Sequence, residues 1–393
     1  MTSRLPYPPD RGDRLRAFNF IKQLSGQHEI VLLSFIADEE ERDHQSALEA
    51  YCKEIQVIPL SAKLSTLGVA ANLWRSEPLQ ALYYRSAAMK GLVNDTLASN
   101  PFDAAYIHLF RMAPYLADTP NLYRIVDLTD AISSEILRSL PYRSAISRFV
   151  YRVERPRIQR YERFVADSFE ETWLISNHDR QLLAAGCPTA NIQVIPNGVD
   201  LNRLHPIDIP REPSSLVFVG HMGVLHNVDA ATYLANEILP GIQEQIPAAK
   251  LTIVGADPAP QVQALAANPS VTVTGFVDDL NGYLNRSAVF VAPLRFAAGV
   301  QNKVLEAMAA GRPVVTSSMV NGGLEAEAGR DLLVADDIET TVGHIVGLLN
   351  DPVARQTMGQ AARQFVSQHF SWRHVLDRMD VIEATIMNQE KTP

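Results

Sequence analysis

Two side chains of opposite charge stand in one glycine-led stretch, Lys303 and Glu306, within VFVAPLRFAAGVQNKVLEAMAAGRPVVT from Val289 to Thr316. If Asn302 opens a helix, its first turn offers unpaired N–H groups and the positive end of the helix dipole, which suits a phosphate. Backbone from Gly299 through Val300, Gln301 and Asn302 to Lys303 would supply those groups, and Lys303 would add a mobile positive charge. Glu306 lies about one turn further in, too deep to cap the helix but placed to accept hydrogen bonds from a ribose diol. Taken alone, it could equally be a solvated helix glutamate. A third candidate is His108, which ends the run Ala-Ala-Tyr-Ile-His. Near pH 7 a neutral imidazole both donates and accepts, so it could hydrogen-bond a ligand hydroxyl; the alternative is a histidine packed beneath a loop.

The elements that hold these residues are legible locally. Val289–Ala292 is a short apolar run that Pro293 ends, because proline has no N–H for the ladder. Leu294–Gln301 reads as a loop in which Gly299 allows close approach of backbone to a ligand. Asn302–Ala310 holds strong helix formers with Val304, Leu305 and Met308 at helical spacing, and Gly311 stops it. Val314–Thr316 then returns to strand, and a strand–helix–strand unit requires a parallel pair.

With these residues in view, the segment resembles the donor-binding motif of the family 4 glycosyltransferases, which transfer a sugar from a nucleotide diphosphate with retention of configuration. The form Gly-Val-Gln-Asn-Lys-Val-Leu-Glu-Ala-Met-Ala is similar to a subgroup linked to bacterial exopolysaccharide assembly. The family pattern has two glutamates seven residues apart; here the second is Glu306 and the first falls on Ala298. The resemblance implies a catalytic set of His108, Lys303 and Glu306 and the GT-B fold: an α/β chain of two doubly wound Rossmann-like domains facing across a cleft.

The rest of the chain fits that expectation. Strands are expected at Ile30–Ile36, Ile55–Leu60, Ala104–His108, Tyr123–Leu128, Glu171–Ser176 and Ile192–Ile195, with helical patterns between them. A second set is expected at Leu216–Val219, Lys250–Val254, Val271–Thr274, Val289–Ala292, Val314–Thr316 and Leu332–Val334. The boundaries follow: an acceptor-binding domain over 1–196, a proline-bearing linker over 197–214, a nucleotide-sugar domain over 215–370, and over 371–393 a C-terminal helix that the resemblance has crossing back to the first domain. Only Met1–Ser3 precede the loop RLPYPPDRGDRLR, so the first strand is expected to be missing or to form a shortened sheet edge. Gly12 in that loop is either a point of donor or acceptor approach or an ordinary turn glycine. Asp130 is expected to cap the helix that follows it.

Further donor contacts are expected at strand ends. Gly220 and His221 would lie against the diphosphate, although His221 could be a plain loop histidine. Gly255 and Phe276, beside Gly275, would flank a nucleobase. The arginine and lysine that family members place after Gly220 are absent, so Arg295, or Arg11 and Arg14, are expected to help neutralise phosphate.

Composition narrows the partners. The chain has 393 residues, 47% of them hydrophobic, ample for two cores, and a formal charge of −9 argues against nucleic acid. Two cysteines, Cys52 and Cys187, make neither a metal-ligand spacing nor a disulfide framework, so a cytoplasmic setting is the default. No paired carboxylates have the setting of a magnesium site, so transfer is expected without metal or other cofactor, from a UDP- or GDP-linked donor. The exception in charge is Arg138–Arg163, with eight arginines among apolar residues. It is either a solvated helix face or a peripheral contact with the inner membrane face, suited to a lipid-linked or carbohydrate acceptor. Two other classes stay open: a nucleotide-sugar hydrolase or epimerase on the same fold, and a non-catalytic nucleotide-sugar-binding protein.

Overall fold

The computed structural model describes residues 1–9, 12–119, 122–297 and 299–375. The chain divides into two compact α/β units, one built from Met1–Ile195 and the other from Pro196–Val375.

In the first unit β1 (Val31–Ile36) pairs in parallel with β2 (Glu54–Pro59). A second parallel set runs in the order β3 (Ala104–His108), β4 (Tyr123–Thr129), β5 (Glu171–Leu174), β6 (Ile192–Val194). The first residues of the chain join the two sets. Thr2 N–H donates to Leu33 O at 3.0 Å and bridges Ser34 in parallel, while the Met1 amino group donates to Tyr106 O at 2.6 Å and His108 N–H to Met1 O at 2.9 Å. The short first strand therefore lies inside the sheet between β1 and β3, not at an edge as the sequence suggested. A position hydrogen-bonded on both sides needs only a few residues to keep the ladder continuous.

The strand expected to run to Ser176 ends at Leu174 because Ser176 changes role: its Oγ accepts from Asp179 N–H at 3.1 Å and caps the helix Asn177–Ala184. Asp130 does not cap the helix Ile132–Ser139, whose N-cap residue, Ala131, makes no side-chain cap bond. That end is closed from elsewhere in the chain: Ser133 N–H donates to Glu162 Oε1 at 3.1 Å and Ser133 Oγ to Glu162 Oε2 at 2.5 Å. Arg16 and Asp127 form an ion pair at 2.5 Å with both side chains 0% exposed, and Tyr106 Oη donates to the same carboxylate. The helix holding Arg16 runs from Gly12 to Leu24.

The second unit is one six-stranded parallel sheet. Its strands are β7 (Ser215–Val219), β8 (Lys250–Val254), β9 (Val271–Val273), β10 (Val289–Ala292), β11 (Val314–Thr316) and β12 (Leu333–Val334), in the order β12-β11-β10-β7-β8-β9. Every residue of β7, β10 and β11 is buried, as expected for central strands covered on both faces by helices. Residues expected as a linker pack into this unit: Val199 N–H donates to Phe370 O at 2.7 Å, Ile207 N–H to Asn285 Oδ1 at 3.1 Å, and Glu212 N–H to Arg286 O at 2.9 Å. The expected C-terminal helix begins at Trp372, with Ser371 Oγ accepting from His374 N–H at 3.3 Å, and residues 376–393 lie outside the described residues.

Candidate functional site

The second unit's strand order reverses between β7 and β10: the chain builds β7, β8, β9 outward on one side, then returns to place β10 on the other. The crevice beyond the carboxyl ends of two such strands is where open α/β sheets bind ligands. β7 delivers Gly220 and His221 to it, and β10 delivers the loop that ends at Gln301.

In that loop Gly299 has φ 53°, a left-handed value that favours glycine, and its carbonyl faces Gly323 closely enough that a Cβ there would sit 2.6 Å from the oxygen. Gln301, with extended backbone, is the N-cap position of the helix Asn302–Ala309. Asn302 accepts from Asn197 Nδ2 at 2.9 Å, which fixes the first turn. Ala310 ends the helix, and Gly311 follows with φ 67°.

Lys303 does not swing freely. It is 9% exposed, and its Nζ donates to Asn227 Oδ1 at 2.7 Å and to Gln301 Oε1 at 2.9 Å. Burial lowers it to about 7, with Glu306 pulling the other way. Burial likewise lifts Glu306 to about 7, against the attraction of Arg203 and Lys303. The two groups thus sit near the boundary between charged and neutral forms at pH 7. His226, ring to edge with Phe296, is held down to about 3 by burial and then by Lys303, so it is neutral.

Asn227 links these parts and was not singled out from sequence. Its Nδ2 donates to His221 O at 3.0 Å while its Oδ1 receives Lys303, and a Cβ on Gly220 would fall 2.8 Å from its Cγ. Gly220 is small so that this amide can lie over it. The available signal was an asparagine inside a helical pattern, a residue that usually prefers caps and turns. Gly255 has φ 150°, and a Cβ there would meet Gly220 O at 1.7 Å; its N–H donates to Gly275 O at 3.0 Å. Phe276 follows with its ring 69% exposed.

The structure therefore gathers Gly220, His221, Gly255, Gly299, Val300, Gln301, Asn302, Lys303 and Glu306 around the carboxyl ends of β7, β8 and β10, with Phe276 beyond β9. His221 makes a 3.0 Å contact through Nε2 with Asp257. Arg295 departs from expectation. It forms a two-point pair with Asp229, at 3.0 and 2.6 Å, and lies 4.6 Å from the Tyr233 ring centroid, so its guanidinium is already matched to a carboxylate. Arg14 likewise pairs with Glu41. Arg11 and Ala298 lie outside the described residues.

In the first unit, His108 stands at the carboxyl end of β3 but is 2% exposed. Burial lowers it to about 4 despite the attraction of Asp127, so it is neutral near pH 7. Its Nε2 lies 3.4 Å from Thr129 Oγ1, and its ring stacks near that of Tyr106. The neighbours Leu109 and Thr129 hold φ 73° and 66°, left-handed values that cost energy in residues other than glycine and persist where surrounding structure imposes them. Gly12, at the start of its helix, is exposed.

Residues 213–351 match the family described as glycosyl transferases group 1. The glycogen synthase of Mycobacterium tuberculosis is 28% identical over 57% of this chain and 58% of its own length, so the chain spans a little over half of that relative. An uncharacterized 44.6 kDa protein in the cps region of Klebsiella pneumoniae is 21% identical over 94% of this chain and 95% of that one. Among solved structures, sucrose-phosphate synthase from Thermosynechococcus elongatus superposes with a TM-score of 0.75 at 16% identity, covering 99% of both chains. Anabaena Alr3699/HepE in complex with UDP gives 0.69 at 14%, covering 98% of both. The match to the glycosyl transferases group 1 model thus covers residues 213–351, and the chain as a whole has the GT-B fold.

Proposed function

We propose that this chain transfers a sugar, with retention of anomeric configuration, from a UDP- or GDP-linked donor to a hydroxyl acceptor in polysaccharide or glycolipid assembly. The observation that carries this reading is the crevice at the β7/β10 switch point, where a glycine-led helix N-terminus and the desolvated Lys303 meet. The departing diphosphate is the group that gains charge in the transfer, and fixed N–H dipoles with a lysine in a water-poor site stabilise that charge more than water would. Glu306 accepts from the ribose diol, and Phe276 offers a ring to the base. His108, being buried and neutral, acts as a positioning residue through Thr129. The relatives named above support the class of reaction: the glycogen synthase by its name, and HepE by its complex with UDP.

The reading includes peripheral membrane contact through 138–163. In the helix Ala145–Ser168, Glu154 and Glu162 turn inward, where Glu154 accepts from Leu79 N–H and Glu162 from Ser133. The outer face keeps Arg152 and Arg160 beside Ile146 and Phe149, which are 83% and 70% exposed. Cations over an apolar face suit an anionic lipid surface. Among the described residues, no helix is long and apolar enough to cross a membrane.

The test is nucleoside diphosphate release from UDP-, GDP- and ADP-sugars with and without lipid extract, comparing the parent with Glu306→Ala. Release that requires extract and is lost in the variant supports transfer. Release at full rate without acceptor selects a hydrolase, and no release with no nucleotide binding selects a binding protein or an unrelated role. Vesicle flotation with and without phosphatidylglycerol, using Ile146→Ser/Phe149→Ser, tests the membrane contact.

A further inference from the structure

The first unit contains an open cavity of about 320 Å³ whose lining includes Arg85, Lys90, Arg111, Tyr84, Ser86 and Tyr115. Three of these are cations, and no acidic residue lines the cavity among the described residues. It also holds Ala87, the first residue of the helix Ala87–Ser99, whose N-cap is Ser86. Ser86 Oγ accepts from Met89 N–H at 3.3 Å, which leaves the N–H groups of Ala87 and Ala88 without intrahelical partners at the positive end of the helix dipole.

The walls are built to keep this arrangement. Tyr115 Oη accepts from Ser86 N–H at 2.9 Å and donates to Tyr84 O, which pins the loop ahead of the helix. Lys90 Nζ spends one donor on Tyr115 O at 3.1 Å, leaving two of its three. Arg111 donates through Nε to Ser3 Oγ at 3.0 Å and lies 4.9 Å from the Tyr84 ring centroid. The nearby carboxylates are outnumbered: Asp13 stands between Arg4 and Arg111 at 3.7 and 3.8 Å, and Glu77 pairs with Arg75 and Arg85. Arg111 follows His108 by three residues, so the cavity opens at the carboxyl end of β3, the edge where parallel sheets take ligands.

We propose that this cavity binds a phosphate group carried by the acceptor. The assignment to the acceptor rests on the transferase reading; the anion site itself does not. Lys90, with two donors left, and Arg111 supply charge-assisted hydrogen bonds, Arg85, which pairs with Glu77 on one side, adds positive charge at the rim, and the helix at Ala87 supplies backbone N–H groups. A phosphate on a small sugar and one on a lipid share this chemistry.

The experiment is titration calorimetry of the full chain with inorganic phosphate, glucose 6-phosphate and farnesyl diphosphate, with sodium sulfate as a competitor and UDP titrated separately. Lys90→Gln and Arg85→Gln are the variants, because Arg85 is exposed, Lys90 is half-buried, and neither holds Ser3. Each is expected to weaken binding of the phosphorylated probes about tenfold, the effect of losing one hydrogen bond to a charged group, while UDP affinity is unchanged. Tighter binding of glucose 6-phosphate supports a soluble phosphorylated acceptor, and tighter binding of farnesyl diphosphate a lipid-linked one. No phosphate binding in the parent, or equal binding in both variants, overturns the site. Phosphate binding that persists in a chain with no UDP binding and no transfer would remove the transferase reading and leave the anion site standing.

Discussion

Replacing Lys303 with methionine separates two roles that one buried ammonium serves. Burial brings this group from 10.5 to about 7, against the attraction of Glu306. At about 1.4 kcal/mol per pH unit, its charged form is held about 5 kcal/mol less favourably than in water. Between about 7 and 10.5 the folded state binds fewer protons than the unfolded, so the group's contribution to stability rises with pH through that window and is least favourable at pH 7 and below. Methionine keeps the length and removes the desolvated charge. It also takes a donor from Asn227 Oδ1 and Gln301 Oε1, costing about 1–2 kcal/mol each. The expected balance at pH 7 is a variant about 1–3 kcal/mol more stable than the parent, with a gap that narrows by pH 9 as the parent is relieved. Donor affinity moves oppositely: losing one charge-assisted contact to diphosphate weakens binding about 10–100-fold. Urea denaturation at pH 7 and 9, with UDP-glucose titration calorimetry, measures both. A variant less stable than the parent at pH 7, or one that binds UDP-glucose equally well, refutes this account of Lys303.

Other consequences follow from the same geometry. UDP-glucose affinity should peak near pH 7 and fall on both sides: above it Lys303 must take up a proton to meet the diphosphate, and below it Glu306 must lose one to accept from the ribose. Flat affinity from pH 5.5 to 8.5 would contradict that pairing. Gly255→Ala should cost about 4 kcal/mol or more, since its Cβ would meet Gly220 O at 1.7 Å, whereas Gly343→Ala, in a helix with nothing within 4 Å, should be neutral or stabilising by up to about 1 kcal/mol. Equal melting temperatures for these two variants would argue against the Gly220 contact. Asp127→Asn should cost about 3–5 kcal/mol by leaving Arg16 buried without its counter-charge, and a loss under about 1 kcal/mol in urea would show that the pair is not as enclosed as described. His108 is lowered to about 4, so its contribution is present above 6.5 and is lost as pH falls toward 4, a slope worth about 3 kcal/mol that His108→Gln should abolish.

What was legible in the sequence was local. Pro293, Gly299, the helix formers from Asn302 and Gly311 each act through their own φ, ψ or missing N–H, so the strand–loop–helix–strand unit could be placed before any partner was known. What was not legible depends on residues far apart in the chain. Asp130 had the local chemistry of a cap, but Glu162 reaches the same helix end from 29 positions beyond Ser133 and satisfies it. Arg295 looked available for phosphate until Asp229, 66 positions earlier, appeared opposite it. Arg16 and Asp127 are 111 positions apart, and nothing in either segment announces the other. Met1–Thr2 is too short to carry a periodicity, and only its hydrogen bonds to both β1 and β3 make it a strand position.

The same distinction explains why Lys303 reads one way in sequence and another in the fold. A lysine at the start of a helix suggests a mobile charge, yet Asn227 and Gln301 hold the amine with two neutral oxygens, which orient it without neutralising it. A carboxylate in their place would have kept the lysine fully charged and made it compete poorly for a diphosphate. Amide oxygens leave the charge undersatisfied, so the arriving anion supplies the missing counter-charge instead of displacing one already present. Gly220 is the position that makes this possible, because a side chain there would push Asn227 off the turn and take the amine's main anchor with it. The glycine after β7 and the lysine after β10 thus act through one amide, and in the proposed transfer a residue with no charge of its own keeps the amine available to the diphosphate.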